Sequence, residues 1–339
     1  MFEIGVIGCG RISKTYQAAF SNLQDKVHVR FCVDKDIERA KAFAANFDGC
    51  GYSDKLEDLL AAPLDAVHVL TPHFLHKEHV IRCLEAGFHV LTEKPIAIYV
   101  KDGEEMIQTA EKCGKNLGVI FQNRYITGIV EAKKLLSEGR LGRIKGAWSQ
   151  LNWWRPESYY ACDWKGSWEK EGGGVVIDQA IHSLDLVRFL MDCPVHTVKA
   201  SMDRRILKTI EVEDVADAAI TFENGAVYSF FACNYYTHNS DIRIELNCEK
   251  GSILLTGDTV DIRIDGEEPL HIPMAAPDNA QGESYWGSCH QIQIEKFYEA
   301  LEANQPVPTN PYDALDTLAL VQAIYTSART NEVVSLRTP

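Results

Sequence analysis

Apolar residues recur with two different periods along this chain, and the change between them divides it. As far as about residue 121, short apolar runs alternate with stretches whose apolar positions return every three or four residues. The runs 3–8, Val27–Val33, Ala66–Leu70, His89–Leu91 and Leu117–Phe121 predict strands. The helical face begun by Tyr16, Ala19 and Phe20, and the segments Ile37–Phe47, Leu56–Ala61, His76–Ala86 and Asp102–Cys113, predict the helices between them. Strands that alternate with helices in this way require a parallel sheet covered by helices on both faces.

Beyond residue 123 the texture changes. A helix over Ile126–Ser137 leads into a strand over Arg143–Trp153, then an aromatic loop, then a helix within Glu171–Leu186. From Val195 to His271 the pattern has period two, broken by turns at E-N-G-A, E-K-G-S and I-D-G-E, which predicts five or six strands of an antiparallel or mixed sheet. Helices over Gln291–Ala303 and Tyr312–Thr330 close the chain, and the last is expected to pack back on the first domain. At 339 residues the chain is long for a single core. The expected organisation is a doubly wound parallel α/β domain over 1–123, followed by an α+β domain with an open, largely antiparallel sheet over 124–339.

Composition narrows the partners. A formal net charge of −14 argues against nucleic acid or an anionic membrane, both of which call for clustered Lys and Arg. The ten cysteines form no C-x-x-C pair, and several fall inside strand or helix patterns, so they are read as reduced thiols. No apolar run reaches the 18 or so residues of a membrane span, and the chain opens directly on a strand without a basic and apolar leader. A cytoplasmic protein acting on a small molecule is expected.

Candidate chemistry sits where strands end. The first strand breaks into G-C-G-R-I-S and a helix, the order of a dinucleotide-binding Rossmann fold, with Gly8, Gly10, Arg11 and Ile12 at the turn and Ser13 where a third glycine would stand. The second strand ends on Asp34, whose carboxylate can accept from both adenosine ribose hydroxyls and repels a 2′-phosphate, favouring NAD over NADP. T-P-H-F-L-H, with Thr71, Pro72 and His76, then Glu93-Lys94-Pro95 and Gln122-Asn123-Arg124-Tyr125 fall at later strand ends, where such sheets bind ligands. His76 is expected at the nicotinamide edge. His73, His76 and His79 form H-x-x-H-x-x-H, but that step drifts around a helix and lacks a carboxylate or cysteine companion, so no metal is expected.

The second half offers an acid/base pair. In E-G-G-G-V-V-I-D-Q-A-I-H, Asp178 and His182 are four residues apart, so a helix would place both on one face, about 6 Å apart at Cβ. The alternative is a polar couple satisfying itself. The preceding loop, W-W-R-P-E-S-Y-Y with W-K-G-S-W, mixes aromatic faces with hydrogen-bonding groups, a combination suited to a polyol. Asn152, Arg155, Tyr160, Trp164, Gln179, Tyr285 and Arg124 are the candidate substrate contacts. The three glycines are expected to let the backbone pass close to substrate or nicotinamide.

Taken together and in this order, V-I-G-C-G-R-I-S, V-L-T-P-H-F-L-H, H-V-L-T-E-K-P, F-Q-N-R-Y, the D-x-x-x-H helix and F-E-N-G-A resemble the glucose-fructose oxidoreductase, inositol dehydrogenase and MocA family of NAD(P)-dependent sugar and polyol oxidoreductases. The resemblance implies that Lys94 joins Asp178 and His182 in catalysis, and that two-domain subunits assemble as homodimers or homotetramers. Ala180 departs from the glycine common between the aspartate and the histidine. The aromatic loop is similar to members acting on hexoses or sugar nucleotides, so the substrate stays open among sugars and cyclic polyols.

The expected activity is reversible oxidation of a secondary alcohol by NAD, with His182 as the base, Asp178 orienting it and Lys94 holding the reacting oxygen. One alternative is a redox-neutral conversion through a keto-sugar on tightly bound NAD. The other is an NAD-binding regulator without chemistry.

Overall fold

The computed structural model describes residues 1–257, 259–273 and 289–336. They fall into two compact units, one formed by 1–122 with 289–315 and the other by the described part of 123–273 with 316–336. The second unit is therefore not one contiguous stretch, as the sequence suggested. The chain leaves the first unit near residue 122, returns to it, and leaves again.

The first unit holds strands β1 (Phe2–Ile7), β2 (Val27–Val33), β3 (Gly51–Ser53), β4 (Ala66–Val69), β5 (His89–Thr92) and β6 (Leu117–Val119). All pair in parallel, in the order β3-β2-β1-β4-β5-β6. The order reverses between β1 and β4, which opens the crevice where doubly wound sheets take their ligands. Helices α1 (Ser13–Asn22), α2 (Ile37–Ala44), α3 (Leu56–Leu60), α4 (His76–Glu85) and α5 (Val100–Cys113) form the crossovers. Every residue of β4 is buried, as expected of a strand covered on both faces.

In the second unit come α6 (Thr127–Ser137), β7 (Ile144–Asn152), α7 (Ile181–Met191), β8 (Val195–Asp203), β9 (Val215–Phe222), β10 (Val227–Cys233), β11 (Arg243–Cys248), β12 (Gly251–Thr256), β13 (Thr259–Ile264) and β14 (Leu270–Pro273). Helices α8 (His290–Glu302) and α9 (Pro311–Thr330) and the short strand β15 (Val334–Ser335) complete the described chain. The sheet has nine strands in the order β14-β13-β12-β11-β7-β10-β9-β8-β15. Its pairs are antiparallel except β7 with β10. Residues 195–273 supply seven strands where five or six were expected, and the alternating burial along β9 shows the period-two signal at work.

The closing helices divide between the units: the first turn of α9, as far as Leu315, lies in the first unit, where Tyr312 OH donates to Glu111 of α5. The whole of α8 belongs to the first unit: Ile294, Phe297 and Tyr298 enter its core with Ile4, Tyr16, Phe20 and Val29. Its Gln293 accepts from Phe121 N–H at 2.9 Å and donates to Val119 O at 2.7 Å, continuing the edge strand's hydrogen bonding. From residue 316 onward α9 belongs to the second unit. There Thr317 Oγ1 donates to Asp185 of α7 at 3.0 Å and Tyr325 OH donates to Glu213 at 2.9 Å. These buried polar partners draw α9 to the second unit.

Candidate active site

In the first unit β1 ends in a turn that only glycine fits. Gly8 lies at φ +96°, and a Cβ there would stand 2.9 Å from the Leu70 carbonyl. A Cβ on Gly10 would meet nothing within 4 Å, so this backbone borders open space. Ser13 replaces the third glycine because its hydroxyl turns inward and donates to Gly10 O at 2.7 Å. Helix α1 starts there without a side-chain cap, leaving its positive end at the glycine turn. Asp34 is braced by Cys9 N–H at 2.8 Å and Asp36 N–H at 2.9 Å. Open space over Gly10, an uncapped helix start at Arg11–Ile12 and a carboxylate at the end of β2 fit a dinucleotide with its pyrophosphate at the turn and its adenosine ribose at Asp34.

Beyond β4, the histidines turn inward. His76 is fully buried, with Nε2 2.8 Å from Thr71 O and Nδ1 2.7 Å from Pro95 O. Burial pushes this imidazole down from its ordinary value, against the Pro95 and Thr71 carbonyls, which favour its charged form. The expectation that His76 faces nicotinamide is corrected: both ring nitrogens are occupied, and the residue ties the Thr71-Pro72 turn to Glu93-Lys94-Pro95. His79 Nδ1 lies 3.1 Å from Thr71 Oγ1 and serves the same turn.

Glu93 is buried as well. It accepts from Tyr16 OH at 2.8 Å and lies 3.6 Å from His290 of α8. Burial alone would raise its carboxyl, but His290, Lys94 and Tyr16 outweigh it and hold the group down at about 2. Glu93 is thus a fixed anion inside the fold that anchors the backbone of the partly buried Lys94. Gln122, buried at 3% exposure, lies at the end of the first unit's chain segment.

The second unit presents Asp178 and His182 on a helix that differs from the expected one. Val176–Ala180 is a π-helical turn and α7 begins at Ile181, so Asp178 lies in the wide turn and His182 in the first α turn. Asp178 Oδ2 accepts from Lys165 Nζ at 2.5 Å, Tyr159 OH at 2.8 Å and Gln179 Nε2 at 2.6 Å. Lys165 reaches Glu171 Oε1 at 3.2 Å, and its ammonium stands 4.4 Å from the Trp164 ring centre and 4.5 Å from that of Tyr159. Fully buried Asn234 donates to Tyr160 OH at 3.0 Å and Gln179 Oε1 at 2.9 Å. Asp178, Gln179, Tyr160 and Trp164 are therefore drawn into one connected cluster.

The glycines before this helix have a different reason from the one expected. A Cβ on Gly173 would lie 2.0 Å from Tyr325 OH, and one on Gly174 would lie 1.9 Å from Glu213 O. They admit α9 and the chain entering β9, which corrects the expectation of a passage for substrate or nicotinamide. Glu213 caps the helix start, accepting from Gly174 N–H at 2.8 Å and Val176 N–H at 3.0 Å.

Other candidates are structural. Arg124 forms a buried two-pronged pair with Asp185 at 2.8 and 2.6 Å, a guanidinium committed to α7 rather than to substrate. Arg155, 3% exposed, packs against the rings of Trp153 at 4.5 Å and Tyr159 at 5.2 Å and donates to Trp154 O and Asn239 Oδ1, so it stiffens the aromatic loop. Asn152 Oδ1 takes the Cys233 thiol at 3.5 Å and its carbonyl accepts from Ser240 N–H at 2.9 Å, at the end of β7. Tyr285 lies outside the described residues.

Two family models match in succession: an oxidoreductase family with an NAD-binding Rossmann fold over 2–121, and the GFO/IDH/MocA C-terminal domain over 129–254. The WlbA dehydrogenase from Bordetella pertussis, solved in complex with NADH and UDP-GlcNAcA, is 31% identical with a TM-score of 0.87, covering 99% of this chain and 98% of that one. The chain belongs to the GFO/IDH/MocA family.

This GFO/IDH/MocA protein is an NAD-binding oxidoreductase. Among curated relatives, 1,5-anhydro-D-fructose reductase of Ensifer adhaerens is 27% identical over 89% of each chain. D-apiose dehydrogenase of Paraburkholderia graminis is 28% identical over 99% of this chain and 90% of its own. The family motifs pointed to Lys94, Asp178 and His182 but passed over Lys165, Glu171 and Glu213. The available signal was a lysine between two tryptophans in W-K-G-S-W with a glutamate six residues on.

Proposed function

We propose that the protein transfers a hydride reversibly between a secondary alcohol of a sugar, sugar derivative or cyclic polyol and NAD. The observation that carries this is the buried cluster around Asp178, where a carboxylate is held by three donors one helical turn before a partly buried histidine. Bound NAD supplies the hydride acceptor. His182 takes the hydroxyl proton, since an imidazole titrates near working pH. Asp178 orients that imidazole and favours its charged form, and Lys94 donates to the reacting oxygen. Gly8, Gly10, Arg11, Ile12, Asp34, Thr71, Pro72 and Gln122 serve the cofactor, with Asp34 selecting NAD over NADP. Tyr160, Trp164 and Gln179 face the sugar. The relatives that act on sugars support this class, and ten cysteines without a disulfide support a cytoplasmic setting. A homodimer or homotetramer follows from the family and is read by light scattering.

The test is NADH formation across inositols, hexoses, glucosides and UDP-GlcNAcA, with His182→Ala alongside. The variant should lose turnover by about 10²- to 10⁴-fold while its NADH fluorescence titration stays native. Undiminished turnover would remove His182 from the chemistry, and preference for NADP would overturn the role of Asp34.

A further inference from the structure

Lys165 belongs to none of the roles assigned above, yet it is the most constrained lysine in the second unit's cluster. Its side chain is 9% exposed, with Asp178 and Glu171 on the ammonium and the rings of Tyr159 and Trp164 beside it. Burial works against its charge, but Asp178, Tyr159 and Glu171 outweigh that and raise it well above the ordinary lysine value. Glu171 is pushed the other way. Burial, with Asp178 adding to it, lifts its carboxyl to about 8 against the opposing pull of Lys165 and Gly166 N–H. At neutral pH Glu171 therefore keeps its proton, and the lysine's charge is matched by Asp178. The other titratable groups facing this cluster are Tyr159, Tyr160 and, from α9, Tyr325.

We propose that Lys165 is a positioning residue for the reaction: it keeps Asp178 ionised and holds its Oδ2 against Tyr159 and Gln179, fixing the carboxylate that serves His182. The reaction role rests on the reading of Asp178 given under Proposed function. Removing the cation would take the ammonium from beside the Asp178 carboxylate in a buried site, where burial then favours the form that carries a proton. Asp178 would accept it at higher pH than in the native protein. Either consequence moves the acid limb of activity to higher pH: an uncompensated anion beside His182 raises the pH at which the base becomes charged, and a protonated Asp178 must lose its proton before it can orient the base.

The test compares Lys165→Met and Lys165→Arg with the native protein and Asp178→Asn, each checked for native NADH binding. In protein labelled with ¹³C at the aspartate carboxyls, the Asp178 signal is the one missing from Asp178→Asn. It should titrate at least about one pH unit higher in Lys165→Met, the scale of losing an opposite charge within contact distance, and stay near native in Lys165→Arg. With UDP-GlcNAcA, or a hexose or inositol that yields NADH, Lys165→Met should lower kcat about 10²-fold with KM little changed and the acid limb moved to higher pH. A native Asp178 titration in Lys165→Met would overturn the coupling, as would equal losses in Lys165→Met and Lys165→Arg. Native turnover by Asp178→Asn would instead sink the catalytic reading of Asp178, a failure the titration identifies separately.

Discussion

Gly174 is where substitution of a single hydrogen should be felt most. An added Cβ would lie 1.9 Å from the Glu213 carbonyl oxygen and 3.0 Å from its carbonyl carbon, and a backbone obstacle cannot move aside by changing rotamer. Gly174→Ala must therefore part the helix start from the chain entering β9. That displacement strains three hydrogen bonds: Gly174 N–H to Glu213 Oε2 at 2.8 Å, Val176 N–H to Oε1 at 3.0 Å and Val175 N–H to Glu213 O at 3.3 Å. With about 1 kcal/mol net for each bond and about 1–3 kcal/mol for overpacking, the expected destabilisation is about 4–6 kcal/mol. That is a large share of the roughly 5–15 kcal/mol that holds a domain together. Urea unfolding followed by tryptophan fluorescence reads it, since Trp164 and Trp168 flank this region. Turnover should fall with it, because Asp178 lies four residues on. A loss below about 1 kcal/mol, the scale of a single net hydrogen bond, with native kcat would refute the claim that this close approach holds the helix.

Gly10→Ala is the complementary case. With nothing within 4 Å of the added methyl, unfolding should stay within about 0.5 kcal/mol of native, whereas NADH affinity should fall about 10-fold or more because the methyl occupies the dinucleotide's path; unchanged affinity in a fluorescence titration would remove Gly10 from the cofactor site. Arg124→Met strands the Asp185 carboxylate, 1% exposed, without its cation and should cost about 3–5 kcal/mol in denaturant unfolding. The double variant Arg124→Met/Asp185→Leu should recover most of that, and equal losses in single and double variants would argue against the pair. Glu93 is held at about 2, below the ordinary 4.5, so the unfolded chain takes up the proton first as pH falls. The resulting stability is present above pH 4.5 and lost as pH drops toward 2, on the order of 3 kcal/mol. Glu93→Gln should be less stable at neutral pH and flat through that window; a native pH profile would contradict the Tyr16 and His290 contacts.

Which of these features could be read from the sequence follows from how local their causes are. The parallel sheet was legible because each strand and crossover helix carries its own periodicity, and the glycine turn because φ +96° at Gly8 is a demand on one residue. The helix carrying Asp178 and His182 was legible from its apolar pattern, but the π turn that holds Asp178 was not. Arg124 misled because its partner Asp185 lies 61 residues away, and a buried two-pronged ion pair looks the same in sequence as a substrate-binding arginine. His76 misled for a similar reason: the Pro95 carbonyl that occupies its Nδ1 is 19 residues on. The placement of α8 in the first unit was hidden in Gln293, whose two hydrogen bonds complete an edge strand more than 170 residues earlier.

The helix carrying Asp178 and His182 joins these two kinds of information. It has no Ser, Thr, Asp or Asn at its start and no side-chain cap of its own, which by local rules makes it a poor place to fix an acid/base pair. Its cap comes from Glu213, 37 and 39 residues later, and that carboxyl can reach the Gly174 and Val176 amides only because Gly173 and Gly174 carry no side chain. Burial lifts Glu213 to about 7, so the cap sits near the boundary between its neutral and charged forms at working pH. Its hydrogen bonds from two amides and Tyr325 oppose that lift and favour the charged form, which also suits the positive end of a helix. The glycine run is thus the local trace of a long-range cap: the sequence displays the space, and the residue that fills it belongs to another part of the chain.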